Sequence, residues 1–266
     1  MNKNQNDYYL IFFFGLGFLG APLLLACNDL VFYAINGFLK PALGMPMLFL
    51  TSIADGFFIL MLMALLHPLR RREFLPTLFA FLLSAIIVQG IKHTFPIPRP
   101  LFALPAGSVD IMGMHLTART FPSGHSTSAF VFVFFLAHNQ TIKIKSLVFL
   151  FGILAAISRV YIGVHFPLDV WVGSFIGYFT AWMCSKTFEF LRQKNDDHPR
   201  WAVIAKWFRK PGILISSLWG LTVAFIYLFV YEEKTKDLEF ILTPVVWLLS
   251  GWFLIRTTLE ARKLAA

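Results

Sequence analysis

Residues 146–169 read SLVFLFGILAAISRVYIGVHFPLD. The part from 146 to 164 is apolar almost throughout and close to the roughly 20 residues that a helix needs to cross a bilayer. Arg159 nevertheless stands inside it near one end, and His165 and Asp169 follow at once. A cation within a spanning helix is expensive and usually serves a function. This stretch therefore argues for a membrane helix with chemistry gathered at one of its ends.

Working outward, comparable apolar runs recur at about 8–27, 47–66, 76–94, 125–138, 168–190, 212–231 and 239–257. With 146–164 they make eight expected spans. A further apolar piece, about 30–42, holds Asn36, Gly37, Lys40 and Pro41 and reads as interfacial. The chain of 266 residues is 58% hydrophobic and 14% charged, with 31 Phe. Soluble domains sit near half apolar and a quarter charged, so a large soluble core is excluded. The expected fold class is an all-α polytopic membrane helix bundle.

The cations orient it. Arg70, Arg71 and Arg72 follow the second span, Lys143 and Lys145 the fourth, and Arg192 to Lys210 the sixth; Arg256, Arg262 and Lys263 follow the eighth. Simple alternation puts all of them on one side, which the positive-inside rule makes cytoplasmic, with both termini there. The net charge of +9 then needs no nucleic acid. Leu24-Leu25-Ala26-Cys27 faintly resembles a lipoprotein cleavage box, but with only Lys3 against Asp7 ahead of it an uncleaved first helix is expected. Cys27 and Cys184 fall at opposite membrane faces and are expected to pack rather than pair.

Three polar segments interrupt the apolar pattern. Lys92-His93-Thr94-Phe95-Pro96-Ile97-Pro98-Arg99-Pro100 ends the third span, and its prolines turn the chain so that Arg99 swings back toward Lys92. Alone, such cations are ordinary headgroup anchors. Phe121-Pro122-Ser123-Gly124-His125-Ser126 opens the fourth span. Capping is the plain explanation, yet a helix N-terminus with Gly124 and an ionisable His125 also makes an anion site. The third segment is the opening one, where His165 and Asp169 lie one helical turn apart on one face. All three segments fall on the outer face of a topology drawn from cations elsewhere. Together they form a cage suited to a tetrahedral oxyanion, since arginine forks bind phosphate oxygens bidentately.

These residues resemble the three-part signature of the type-2 phosphatidic acid phosphatase family, which vanadium haloperoxidases share. Lys92 to Arg99-Pro100, then Pro122-Ser123-Gly124-His125, then Ser158-Arg159 with His165 and Asp169 agree in order and spacing. The resemblance implies a six-helix phosphatase core over 1–190, with motifs within 92–169. Residues 191–266 add a basic cytoplasmic segment and two further transmembrane helices to which the family pattern assigns no job. It implies His165 as the nucleophile forming a phosphohistidine, Asp169 as its orienter and His125 as general acid and then base. Lys92, Arg99, Ser123, Gly124 and Arg159 would bind the phosphate. No metal or cofactor is expected, because the acidic residues do not cluster as an oxygen cage for magnesium.

The expected partner is a phosphorylated membrane lipid in a bilayer, with no obligate protein partner. Phosphatidate, phosphatidylglycerophosphate, undecaprenyl diphosphate and lipid A phosphates all fit. Asp110, His115 and Arg119 in the outer loop are at hand for a headgroup, with ordinary solvated loop residues as the alternative. The expected location is a bacterial inner membrane, with the site facing the periplasm or exterior. A lipid phosphotransferase would use the same residues. A soluble-type haloperoxidase fits poorly with eight spans, and a transporter leaves the nucleophile, acid and cage unexplained.

Overall fold

The computed structural model describes residues 3–67, 69–113 and 119–195, with isolated positions between 248 and 259. The described residues are helical and contain no strand. In order they form α1 (Lys3–Ile35), α2 (Lys40–Ile53), α3 (Gly56–Leu66), α4 (Arg71–Thr94), the short α5 (Pro100–Ala103), α6 (Gly124–Ala137), α7 (Ile142–Tyr161) and α8 (Pro167–Asn195). The expected span at 212–231, most of that at 239–257, His115 and the basic segment after 195 lie outside the described residues.

Large apolar side chains cover the outside of the bundle as well as its core, unlike a soluble bundle, and polar side chains are buried among them. Phe79, Leu82 and Ile86 of α4 and Leu147, Leu150 and Ile153 of α7 are exposed at helical spacing. Thr77 and Ser84 of α4, Ser158 of α7 and Ser174 and Thr180 of α8 are buried. Arg72–Thr94 and Ile142–Tyr161 are each long and apolar enough to cross a bilayer. Backbone groups in hydrocarbon must be satisfied internally, which helices do.

Two expectations at the N-terminal side are corrected. The run 47–66 is not one helix: Ala54 closes α2, and Asp55 caps α3 by accepting a hydrogen bond from Phe57 N at 2.9 Å. Nor is 30–42 a separate helical piece. Residues to 35 continue α1, and the chain turns through Gly37 (φ 70°) and Leu39 (φ 48°) into α2, which meets the end of α1 at 116°. Asn36 ties this turn down, donating to Asp110 O (2.8 Å) and Tyr161 O (2.9 Å). Gly163, at φ 80°, lies where a Cβ would stand 2.6 Å from Asp110 O, so only glycine suits both its backbone and its neighbour.

The core centres on α8, packed against α6, α4 and α1. Gly173 and Gly177, four apart on α8, let α6 approach until a Cβ at either position would strike the backbone oxygen of Ser123 or Thr127. Small residues at this spacing are a common means of close helix packing in membranes. Thr127 seals the contact by donating to Gly173 O at 3.0 Å. At the far end of α6, Arg70 donates to the carbonyls of Phe135, Leu136 and His138 at 2.6–3.1 Å, satisfying a helix C-terminus. Arg192 reaches Arg72 O nearby, at 3.1 Å, so these cations share one end of the bundle. The three polar segments share the other.

Candidate active site

His165 sits in the short connection between α7 and α8, with 2% of its surface exposed. Its Nδ1 lies 3.0 Å from Thr120 Oγ1 and 3.3 Å from Asp169 Oδ2. Thr120 donates its hydroxyl hydrogen to the same carboxylate oxygen, so its lone pair accepts from the imidazole. Phe166 N donates to that oxygen as well, at 2.8 Å. Every partner of Nδ1 is thus an acceptor, which places the ring proton there and leaves the lone pair on Nε2. Nε2 faces Arg99, whose Nη1 is 3.4 Å away and donates to Val164 O at 2.7 Å. Burial first, then the charges of Arg159, Arg99 and Lys92, hold the His165 pKa well below its ordinary value. The imidazole is therefore neutral at neutral pH.

The sequence-predicted cations converge here. Lys92, in the last turn of α4, donates to Arg119 O (2.8 Å) and Thr120 O (2.9 Å), so it also fixes the backbone that carries Thr120. The chain leaves α4 extended, and Thr120 N donates to Ile97 O at 3.0 Å, binding the two arms of the outer loop. Arg159 is buried, donates from Nη1 to Thr51 Oγ1, and its Nε has no hydrogen-bond partner among the described residues. Three cations against the carboxylates of Asp169 and Asp55 leave the site with excess buried positive charge. That is costly without an anion to match it.

Ser123 and Gly124 start α6 as expected. Ser123 Oγ accepts from Ser126 N (3.3 Å) and Ser126 Oγ (3.0 Å), while Ser123 N donates to Asp169 O at 3.0 Å, joining the second segment to the third. A Cβ built on Gly124 would meet no atom within 4 Å, so packing does not demand glycine there. Bareness at a helix N-terminus suits close approach of an anion instead. His125 is more open than His165, with 30% of its side chain exposed, and its Nε2 lies 3.5 Å from Asp55 Oδ2.

Two outer-loop residues are occupied elsewhere: the Asp110 carboxylate pairs with Lys40, and Arg119 donates to Lys92 O (3.0 Å) and meets His93 Nδ1 (2.8 Å). Three residues that the motifs do not include belong to the site: Thr120, Thr51 and Asp55. Asp55 had a legible sign, an ionisable group inside an expected span. The two threonines had none.

A neutral buried histidine aimed into a cage of cations beside a helix N-terminus defines a membrane-embedded, phosphate-handling helical protein. The PAP2 superfamily model matches residues 73–193. The chain is 30% identical over 184 residues to the Arabidopsis thaliana protein named "Probable lipid phosphate phosphatase beta", spanning 58% of this chain and 85% of that one. It is 31% identical over 102 residues to "Putative undecaprenyl-diphosphatase YbjG" of Escherichia coli (strain K12), spanning 37% of this chain and 48% of that one. Among solved structures, LpxE of Aquifex aeolicus is 32% identical with a TM-score of 0.56, over 60% of this chain and 94% of that one. A PAP2-type phosphatidylglycerolphosphate phosphatase of Bacillus subtilis, at 22% identity and TM-score 0.54 over 67% and 95%, shares the fold. The chain belongs to the PAP2 superfamily and is an integral membrane protein of the PAP2 phosphatase type.

Proposed function

We propose that the protein hydrolyses a phosphomonoester or pyrophosphate of a membrane lipid through a phosphohistidine at His165. The observation that carries this reading is the orientation of His165: Nδ1 held toward Thr120 and Asp169, Nε2 turned toward the cations. Nε2 attacks phosphorus, and the bond to the lipid oxygen breaks as His125 gives that oxygen a proton. Water then attacks the phosphohistidine, His125 takes its proton, and the P–N bond breaks to release inorganic phosphate. Lys92, Arg99, Arg159 and the donors at Ser123 and Gly124 stabilise charge on the equatorial oxygens.

A lipid substrate is supported by the relatives' names and by helix lengths. The 14 residues of α6 extend roughly 21 Å, short of the roughly 30 Å hydrocarbon layer. Its C-terminus is anchored at the end of the bundle that carries Arg70, Arg72 and Arg192, so its N-terminus opens the site at or below headgroup depth. The same cations, retained inside, point the site to the extracytoplasmic face. Phosphatidate, phosphatidylglycerophosphate, undecaprenyl diphosphate and lipid A phosphates are the candidates. The test is phosphate release by purified protein from this panel in excess EDTA. Release from at least one lipid, abolished in His165→Ala, is expected; no release from any, or release only with added magnesium, would defeat the reading.

A further inference from the structure

The end of α2 and the turn into α3 lie outside the segment matched by the superfamily model, yet they deliver two side chains to the site. Thr51 holds Arg159, and Asp55 faces His125. Asp55 is itself held firmly. Its Oδ1 accepts the cap hydrogen bond from Phe57 N, which aims Oδ2 at His125 Nε2. Gly56 brings the start of α3 close to α6, for a Cβ there would lie 3.3 Å from Ser128 Oγ. The carboxylate is mostly buried, with 13% of its side chain exposed, and its charge also acts on Arg159.

We propose that Asp55 is a positioning residue for His125: it fixes the ring through Nε2, favours the protonated form, and leaves Nδ1 to deliver the proton to the departing lipid oxygen. The inference rests on the proposed phosphatase reading. A pair of carboxylate and histidine on each side of the phosphate then divides the work, with Asp169 serving the nucleophile and Asp55 the acid. The other charges of the site come from Lys92 on α4, Arg99 before α5, Arg159 on α7 and Asp169 on α8. Of these the three cations oppose protonation, so the acid needs a carboxylate of its own.

The test compares Asp55→Asn and Asp55→Ser with the parent; both substitutes are good helix caps, so α3 keeps its start. The value of kcat/KM reports the step in which the lipid alcohol leaves, where the acid acts. For a short-chain alkyl phosphomonoester it should fall about tenfold to hundredfold. For an aryl phosphate, whose leaving group needs little help, the loss should be smaller by about tenfold. The alkaline limb of the profile should move to lower pH by about one unit. Equal losses on both substrates with an unmoved limb would mean a structural role and overturn the proposal, as would parental rates. A parent that hydrolyses no lipid phosphate would overturn the phosphatase reading beneath it; an active parent with variants insensitive to leaving group would overturn the Asp55 role alone.

Discussion

Replacing Thr120 by Val removes one hydroxyl and almost no volume from a position with no solvent exposure. That hydroxyl donates to Asp169 Oδ2 and accepts from His165 Nδ1 at 3.0 Å. A hydrogen bond to a charged group is worth about 1.5–3 kcal/mol. The loss is not total, because Phe166 N still serves Asp169, and Asp169 Oδ2 still lies 3.3 Å from Nδ1. If the lost bond orients the nucleophile, kcat/KM for lipid phosphate should fall about tenfold to hundredfold, since about 1.4 kcal/mol is a factor of ten. Thr120→Ser, which restores the hydroxyl, should recover most of it. The assay is phosphate release under detergent, with thermal unfolding recorded beside it to separate rate from folding. A Thr120→Val enzyme at parental rate would refute the bridging role and with it the inferred location of the His165 proton.

Other outcomes follow from the same geometry. The His165 pKa is pushed down partly by Arg99, so removing that cation in Arg99→Gln raises it, and the acid limb of the pH–rate profile should move to higher pH than in the parent. Gly177→Val would drive a side chain into the Thr127 backbone; it should lower the unfolding midpoint by an amount corresponding to at least about 1–3 kcal/mol and reduce activity, whereas Gly90→Ala, where a Cβ meets nothing, should do neither. Single cysteines at Ser108 and Thr141, in a background lacking Cys27 and Cys184, should react with impermeant maleimide from opposite sides, Ser108 from outside intact cells. Labelling of both from one side would refute the alternating topology and the outward-facing site.

The spans at 76–94 and 146–164 were legible because uninterrupted apolar length is a direct consequence of the hydrocarbon layer. The three polar segments were legible for the converse reason: Arg159, His125 and Asp169 stand where apolar residues would be cheaper. The break at Ala54–Asp55 was faintly marked, since α2 and α3 are both apolar and only the Asp55-Gly56 pair, a capping residue before a glycine, separates them. The turn at 36–39 shows its polarity in the sequence but not its partners: Asn36 uses its amide to fasten Asp110 and Tyr161, which lie far along the chain. Thr120 and Thr51 act only through contacts between distant segments. Their residue type is unremarkable in a membrane helix or loop, so spacing along the chain could not mark them. Gly173 and Gly177 did carry a pattern, a small-residue pair four apart, whose meaning depended on which helix lay opposite.

The central claim is covalent, and it is tested by trapping the intermediate. Purified protein mixed with a lipid bearing radiolabelled phosphate, then denatured within milliseconds, should carry label on His165 that is lost in acid and retained in alkali. The label should vanish in His165→Ala and persist longer in His125→Ala, where the base that activates water is missing. Steady release of phosphate with no such label, or label and turnover surviving in His165→Ala, would contradict the account.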